Sequence, residues 1–113
     1  MIVSKTKDGK KFSMAPGVTN NILISGERVM FLMIELNPGS VVPLHSHPHE
    51  QMGICLQGKV EFQGEENSIV VEPDTVYLFR SNEKHGAKPI GKRKAVLLEV
   101  FSPPREDYLA KVS

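Results

Sequence analysis

A single cysteine, Cys55, is present among 113 residues, so no disulfide can close within the chain and no CxxC pair exists for zinc or redox exchange. A lone thiol agrees with a reducing compartment, and its place in an apolar run predicts a packing role rather than a reactive one. Excess charge of either sign is also missing. Lys and Arg number 14 against 13 Asp and Glu, a formal +1, so nothing marks a nucleic-acid partner or an anionic membrane surface. The longest apolar run, "VMFLMI" (Val29 to Ile34), is far short of the roughly 20 residues that cross a bilayer, so no transmembrane helix is expected. The start, "MIVSKTKDGKKF", carries charge but no apolar signal-peptide region, which makes a cytoplasmic protein the expectation. Repeats, linkers and low-complexity segments are absent. With 40% hydrophobic and 24% charged residues, the chain is expected to be one domain over residues 1–113 with a modest core.

What is there has an all-β rhythm. Short apolar runs rich in β-branched residues are punctuated by Gly, Pro, Asn and Asp every eight to twelve positions or so. The predicted strands are "NILIS", "RVMFLMIEL", "VVPLH", "QMGICLQ", "KVEFQ", "NSIVVE", "TVYLFR" and "KAVLLEVF", joined by turns such as "NPGS", "EPD", "SNE" and "PIGKR". A helix is invited only weakly at the start and at "SPPREDYLAK", where Pro104 can open a final turn with Glu106 and Asp107 near its N-terminus. Several strands are apolar on both faces. In "VMFLMIEL", Met30, Leu32, Ile34 and Leu36 share one side, and Val29, Phe31 and Met33 the other. Each face then needs cover, one from a barrel interior and the other from a second sheet or a second subunit, so a homodimer is expected.

Three of the four histidines lie in "HSHPHEQ", residues 45–51. Such a stretch is either a solvated polar loop or one wall of a metal site. In extended chain His45 and His47 point to the same side, Gln51 has the same parity, and Pro48 can bend the chain so that its amide oxygen reaches the same point. His85, after "TVYLFRSNEK", is the remaining imidazole that a barrel could deliver. His49 shares the parity but sits inside the turn, and is expected behind the ligands or at the surface. In the last strand, Leu97, Glu99 and Phe101 share a face, so Glu99 interrupts apolar residues. A carboxylate there either has a raised pKa and a part in proton transfer, or pairs with Arg80, Arg93 or Arg105.

These residues resemble the cupins, small jelly-roll β-barrels (double-stranded β-helices) that hold a metal. The first cupin motif is Gly, five residues, His, any, His, three or four residues, Glu, six residues, Gly. Gly39, His45, His47 and Gly58 fall at those spacings, with Gln51 in the Glu place. The second motif is looser: its Gly, Pro, Gly, His and Asn positions correspond to Asp74, Arg80, Asn82, His85 and Pro89, and only the histidine is kept. Asp and Asn are the non-glycine residues that best tolerate the positive φ those Gly positions imply. The resemblance covers about residues 39–101 and implies one divalent transition metal on His45, His47, Gln51 and His85. Imidazole suits Zn, Fe, Ni or Cu, and the carbonyl oxygen tolerates Mn, so the identity of the ion stays open.

"HPHEQ" together with "FSPPRED" is similar to the KdgF group of cupins, which linearise 4,5-unsaturated uronates. That similarity implies that Glu99, Phe101 and Arg105 correspond to the group's active-site Asp, Phe and Arg, with Glu replacing Asp. The expected partner is then a small carboxylate or sugar acid, bound through Arg105 and acted on through Glu99. Two other readings share the same ligands: an iron-dependent dioxygenase, and a non-catalytic sugar-binding or sensory module.

Overall fold

The structure, a computed structural model, describes residues 1–113. Ten strands form two antiparallel sheets: β1 (Lys10–Ala15), β2 (Val18–Ser25), β3 (Met30–Leu36), β4 (Val42–His45), β5 (Glu50–Gln57), β6 (Lys59–Gln63), β7 (Ser68–Val71), β8 (Val76–Phe79), β9 (His85–Ile90) and β10 (Ala95–Ser102). A 3₁₀ turn, Thr6–Asp8, precedes them, and the helix α1 (Glu106–Val112) follows. The larger sheet runs β1-β2-β3-β10-β5-β8 and the smaller β4-β9-β6-β7. This is the jelly-roll arrangement that the resemblance to cupins implies, built on the all-β strand pattern.

Turn chemistry sets where strands end. Asp74 and Asn82 adopt φ of 72° and 64°, as their correspondence to glycine positions implies. Gly58 has φ 75°, and a Cβ there would stand 2.8 Å from the Lys94 carbonyl oxygen, so the β5–β6 turn admits no side chain. Two strands are additions to the sequence reading. β1 lies in a Lys-rich segment without apolar alternation and is exposed along most of its length. β9, "HGAKPI", carries Gly and Pro, which read as turn residues, although Pro89 is buried in the small sheet.

The core has two parts. Val18, Leu36, Cys55, Val60, Phe62 and Leu97 meet between the sheets. Ile22, Met30, Leu32, Phe101 and Tyr108 form a second cluster, onto which Phe12 and Leu109 pack, so α1 docks through Tyr108. Cys55 is fully buried, with its thiol 3.5 Å from the Gly58 carbonyl oxygen, consistent with a packing role.

β10 is central to the large sheet, and its Ala95, Leu97, Glu99 and Phe101 face inward. In β3, Met30, Leu32 and Leu36 are buried. The other face is not covered by the second sheet: Val29, Phe31, Met52, Val76 and Leu78 are exposed on the outside of the large sheet. No helix is long and apolar enough to cross a membrane.

Candidate metal centre and adjoining cavity

The imidazoles are brought together from two neighbouring strands of the small sheet and the loop beside them. His45 closes β4, His85 opens β9, and the two are paired across the ladder. His47 lies in the loop that leads into β5. Two groups from the turn after β8 hold this loop: the Asn82 N–H donates to the His47 carbonyl at 2.8 Å, and the Ser81 hydroxyl to the Pro48 carbonyl at 2.6 Å. One nitrogen from each of His45, His47 and His85 lies within 4.8 Å of the others, a separation at which three nitrogens can ligate one ion.

Backbone carbonyls select the tautomers. Nδ1 of His45 lies 2.8 Å from the Pro43 carbonyl, Nδ1 of His47 3.1 Å from that of His49, and Nδ1 of His85 2.8 Å from that of Glu83. Each contact requires Nδ1–H as donor, so each Nε2 is left as a bare lone pair. His49 thus contributes its carbonyl behind His47, while its ring lies outside the cluster. Phe79 stacks on His85 at 4.3 Å with the planes 7° apart, fixing that ring from the side.

Gln51 opens the inward face of β5, and its contact with Glu99 orients its amide. Its Nε2 donates to Glu99 Oε2 at 2.9 Å, which leaves Oε1 3.0 Å from His47 Nε2. Two acceptors therefore face each other, an arrangement that suits a cation between or beside them. His85 Nε2 is buried without any partner. This donor set, three imidazoles each able to offer Nε2 and an amide oxygen, fits a divalent transition ion. Burial first, then the Arg105 guanidinium and His85, pushes the His47 imidazole down to about 4. Burial lowers His85 as well, against the opposing hydrogen bond to Glu83. Both rings are thus neutral near pH 7, the form that ligates.

Behind Gln51 stands Glu99, 1% exposed. Its Oε2 accepts from both Gln51 and the Tyr77 hydroxyl, the latter at 2.6 Å, while Oε1 is buried without a partner. Burial raises its pKa, outweighing the two hydrogen bonds and Arg105. The alternative of an ion pair with Arg80, Arg93 or Arg105 is not realised: none of the ion pairs involves Glu99.

Arg105, at the N-terminus of α1, is buried with its guanidinium 3.9 Å above the Tyr108 ring and 5.2 Å from Phe101. Its Nε and Nη2 donate to the two oxygens of Asp107 at 3.0 and 2.8 Å, and only Nη1 lacks a partner. In the structure Asp107 occupies one edge, leaving the Nη1 end. Phe101 packs edge-on against His47 at 5.6 Å. Sequence reasoning missed Tyr77 and Asp107. The signal for Tyr77 was Gly53, a glycine inside an apolar strand, which pairs with both Tyr77 and Glu99.

His45, Gln51, His85, Glu99, Phe101 and Arg105 all line one cavity of about 300 Å³. Its remaining wall is mostly apolar, supplied by residues such as Ile34, Leu36 and Leu97, with buried Asn20 as a further polar group. A space of this size with a few convergent polar groups suits a small polar molecule.

Comparison with known proteins agrees with this fold. The chain superposes on KdgF from Halomonas sp. with a TM-score of 0.83 at 23% identity, covering 92% of this chain and 96% of that one. An RmlC-like cupin from Shewanella frigidimarina gives a TM-score of 0.83 at 21% identity, with 93% of each chain covered. Among curated proteins it is 26% identical over 103 residues to the H2HPP isomerase of Bacillus subtilis. That match takes in 91% of this chain but 42% of the relative, so the chain spans less than half of the relative's length. The cupin domain model matches residues 32–101, more than half of the sequence, and the chain therefore belongs to the cupin domain family.

Proposed function

We propose that the chain is a metal-dependent enzyme that isomerises a small sugar acid, such as a 4,5-unsaturated uronate, by ring opening and tautomerisation. The observation that carries this reading is the pair of unpartnered buried groups, Glu99 Oε1 and Arg105 Nη1, on residues lining the same cavity as His45 and His85. A carboxyl oxygen with no partner in the chain is free to exchange a proton with a ligand, and a free guanidinium N–H is suited to a carboxylate.

A divalent ion on His45, His47, Gln51 and His85 would supply Lewis acidity toward a substrate oxygen. Arg105 Nη1 takes the substrate carboxylate, with Asp107 and the Tyr108 ring holding the guanidinium in place. Glu99 carries the proton. With Oε2 occupied by two donors, the proton resides on Oε1. Phe101 and the aliphatic wall exclude water from the acid and the alkene.

The fold-level likeness to KdgF supports the uronate as the substrate to test, and the isomerase relative supports proton movement rather than oxidation. The test is loss of the conjugated-alkene ultraviolet absorbance when metal-loaded protein meets 4,5-unsaturated galacturonate or its alginate-derived counterpart. The expected result is absorbance loss that stops on chelation. Oxygen consumption with iron alone, or ligand binding without turnover, would replace this reading with a dioxygenase or a sugar-binding module.

A further inference from the structure

Tyr77, Gly53 and Glu99 stand abreast on three neighbouring strands of the large sheet, β8, β5 and β10. A Cβ on Gly53 would lie 2.6 Å from the Tyr77 hydroxyl and 2.7 Å from its Cζ, so the tyrosine ring leans across β5 through the space the glycine leaves. Its hydroxyl thereby reaches a strand that is not its neighbour and donates to Glu99 Oε2 at 2.6 Å. The same oxygen receives Gln51 Nε2 at 2.9 Å, and that bond alone decides which end of the Gln51 amide faces His47 Nε2. An amide turned the other way would set its NH₂ toward the ion and its oxygen toward a carboxylate oxygen. Phe62 and Phe79 flank the tyrosine ring at 4.6 and 5.4 Å, so the ring has packing of its own without the hydroxyl.

We infer that Tyr77 is a positioning residue for the metal centre: through Gly53's open space it pins Glu99, and Glu99 in turn holds the Gln51 carbonyl oxygen toward the imidazoles. This rests on the metal-binding part of the reading above and is independent of the substrate. Three ring ligands are each locked by a backbone carbonyl, whereas the flexible amide is locked only by this two-bond relay.

The test uses cobalt(II) as the probe, titrated into metal-free full-length protein and followed by its visible bands. Tyr77→Phe keeps the ring and removes the hydroxyl. The expected outcome is a rise of about three- to tenfold in the cobalt dissociation constant, below the ~10–100-fold typical when a ligand's direct partner is lost. The bands should move toward those of Gln51→Ala. In the Gln51→Ala background, Tyr77→Phe should change the affinity no further, because the relay then has nothing to orient. An equal loss in both backgrounds would mean general loosening of the barrel and overturn the inference, as would wild-type affinity and spectrum in Tyr77→Phe. Failure of the unaltered protein to bind cobalt would overturn the metal reading itself and the inference with it. Metal binding without action on uronates would overturn only the substrate.

Discussion

The three imidazoles of the centre converge with each Nδ1 facing a backbone carbonyl, whereas the His49 ring lies outside the cluster and its Nδ1 is buried with no partner. Replacing His45, His47 or His85 by Ala should therefore each remove most of the metal measured by elemental analysis, and His49→Ala should leave it near wild type. Comparable loss in His49→Ala would reassign the ligands. Glu99 and Arg105 should fail in different ways. Glu99→Gln retains an acceptor for Tyr77 and Gln51 but no exchangeable acid, so kcat on a confirmed substrate should fall by roughly two to four orders of magnitude with KM and metal content kept. Arg105→Lys cannot serve Asp107 and a substrate carboxylate from one rigid plane, so KM should rise instead. Wild-type turnover in Glu99→Gln would make Glu99 purely an orienting group for Gln51.

At the scale of elements, α1 matters because it carries the partners of Arg105. The guanidinium beside Asp107 holds that carboxyl below the usual carboxylate range. A carboxyl with a depressed folded pKa adds stability above its unfolded pKa of about 3.9, and the gain is lost as pH falls through the lower folded value. Thermal unfolding of Asp107→Asn should therefore fall below wild type above about pH 5, with the gap closing toward pH 3. The Asp107 side chain is 53% exposed, so the gap should be a few degrees at most. A pH-independent gap would show that the ion pair is not its source. β9 and β1 mark the weak points of strand reading: Gly86 and Pro89 fit β9 because Gly86 passes close to the β4 backbone, a contact invisible in sequence.

For the whole molecule, the outer face of the large sheet is an uncovered apolar surface, and Phe31, Met52, Val76, Leu78, Leu98 and Val100 line one contiguous apolar hollow on it. A face of this kind is seldom left to water, and a second copy placing the same face against it would give a twofold homodimer. Light scattering at micromolar concentration should report twice the mass of 12.5 kDa, and Phe31→Glu should shift it to the monomer. A monomer mass for the unaltered protein would rule the dimer out.

Local chemistry determined much of this protein in advance. Period-two alternation set which side of β10 holds Leu97, Glu99 and Phe101, because neighbouring strand residues cannot face the same way. The cupin-like spacing of Gly39, His45, His47 and Gly58 implied a histidine cluster that could hold a metal, and Asp74 and Asn82 marked turns, because few residues tolerate positive φ. Strand pairing alone decided the rest. Tyr77 and Glu99 are separated by 22 positions and Gln51 and Glu99 by 48, and no periodicity relates residues that far apart. Which edge of Arg105 stays open likewise depends on the turn into α1, which brings Asp107 back onto it. Sequence determines the faces of strands, whereas the hydrogen bonds among buried polar groups are chosen only when the sheets close and water can no longer satisfy them.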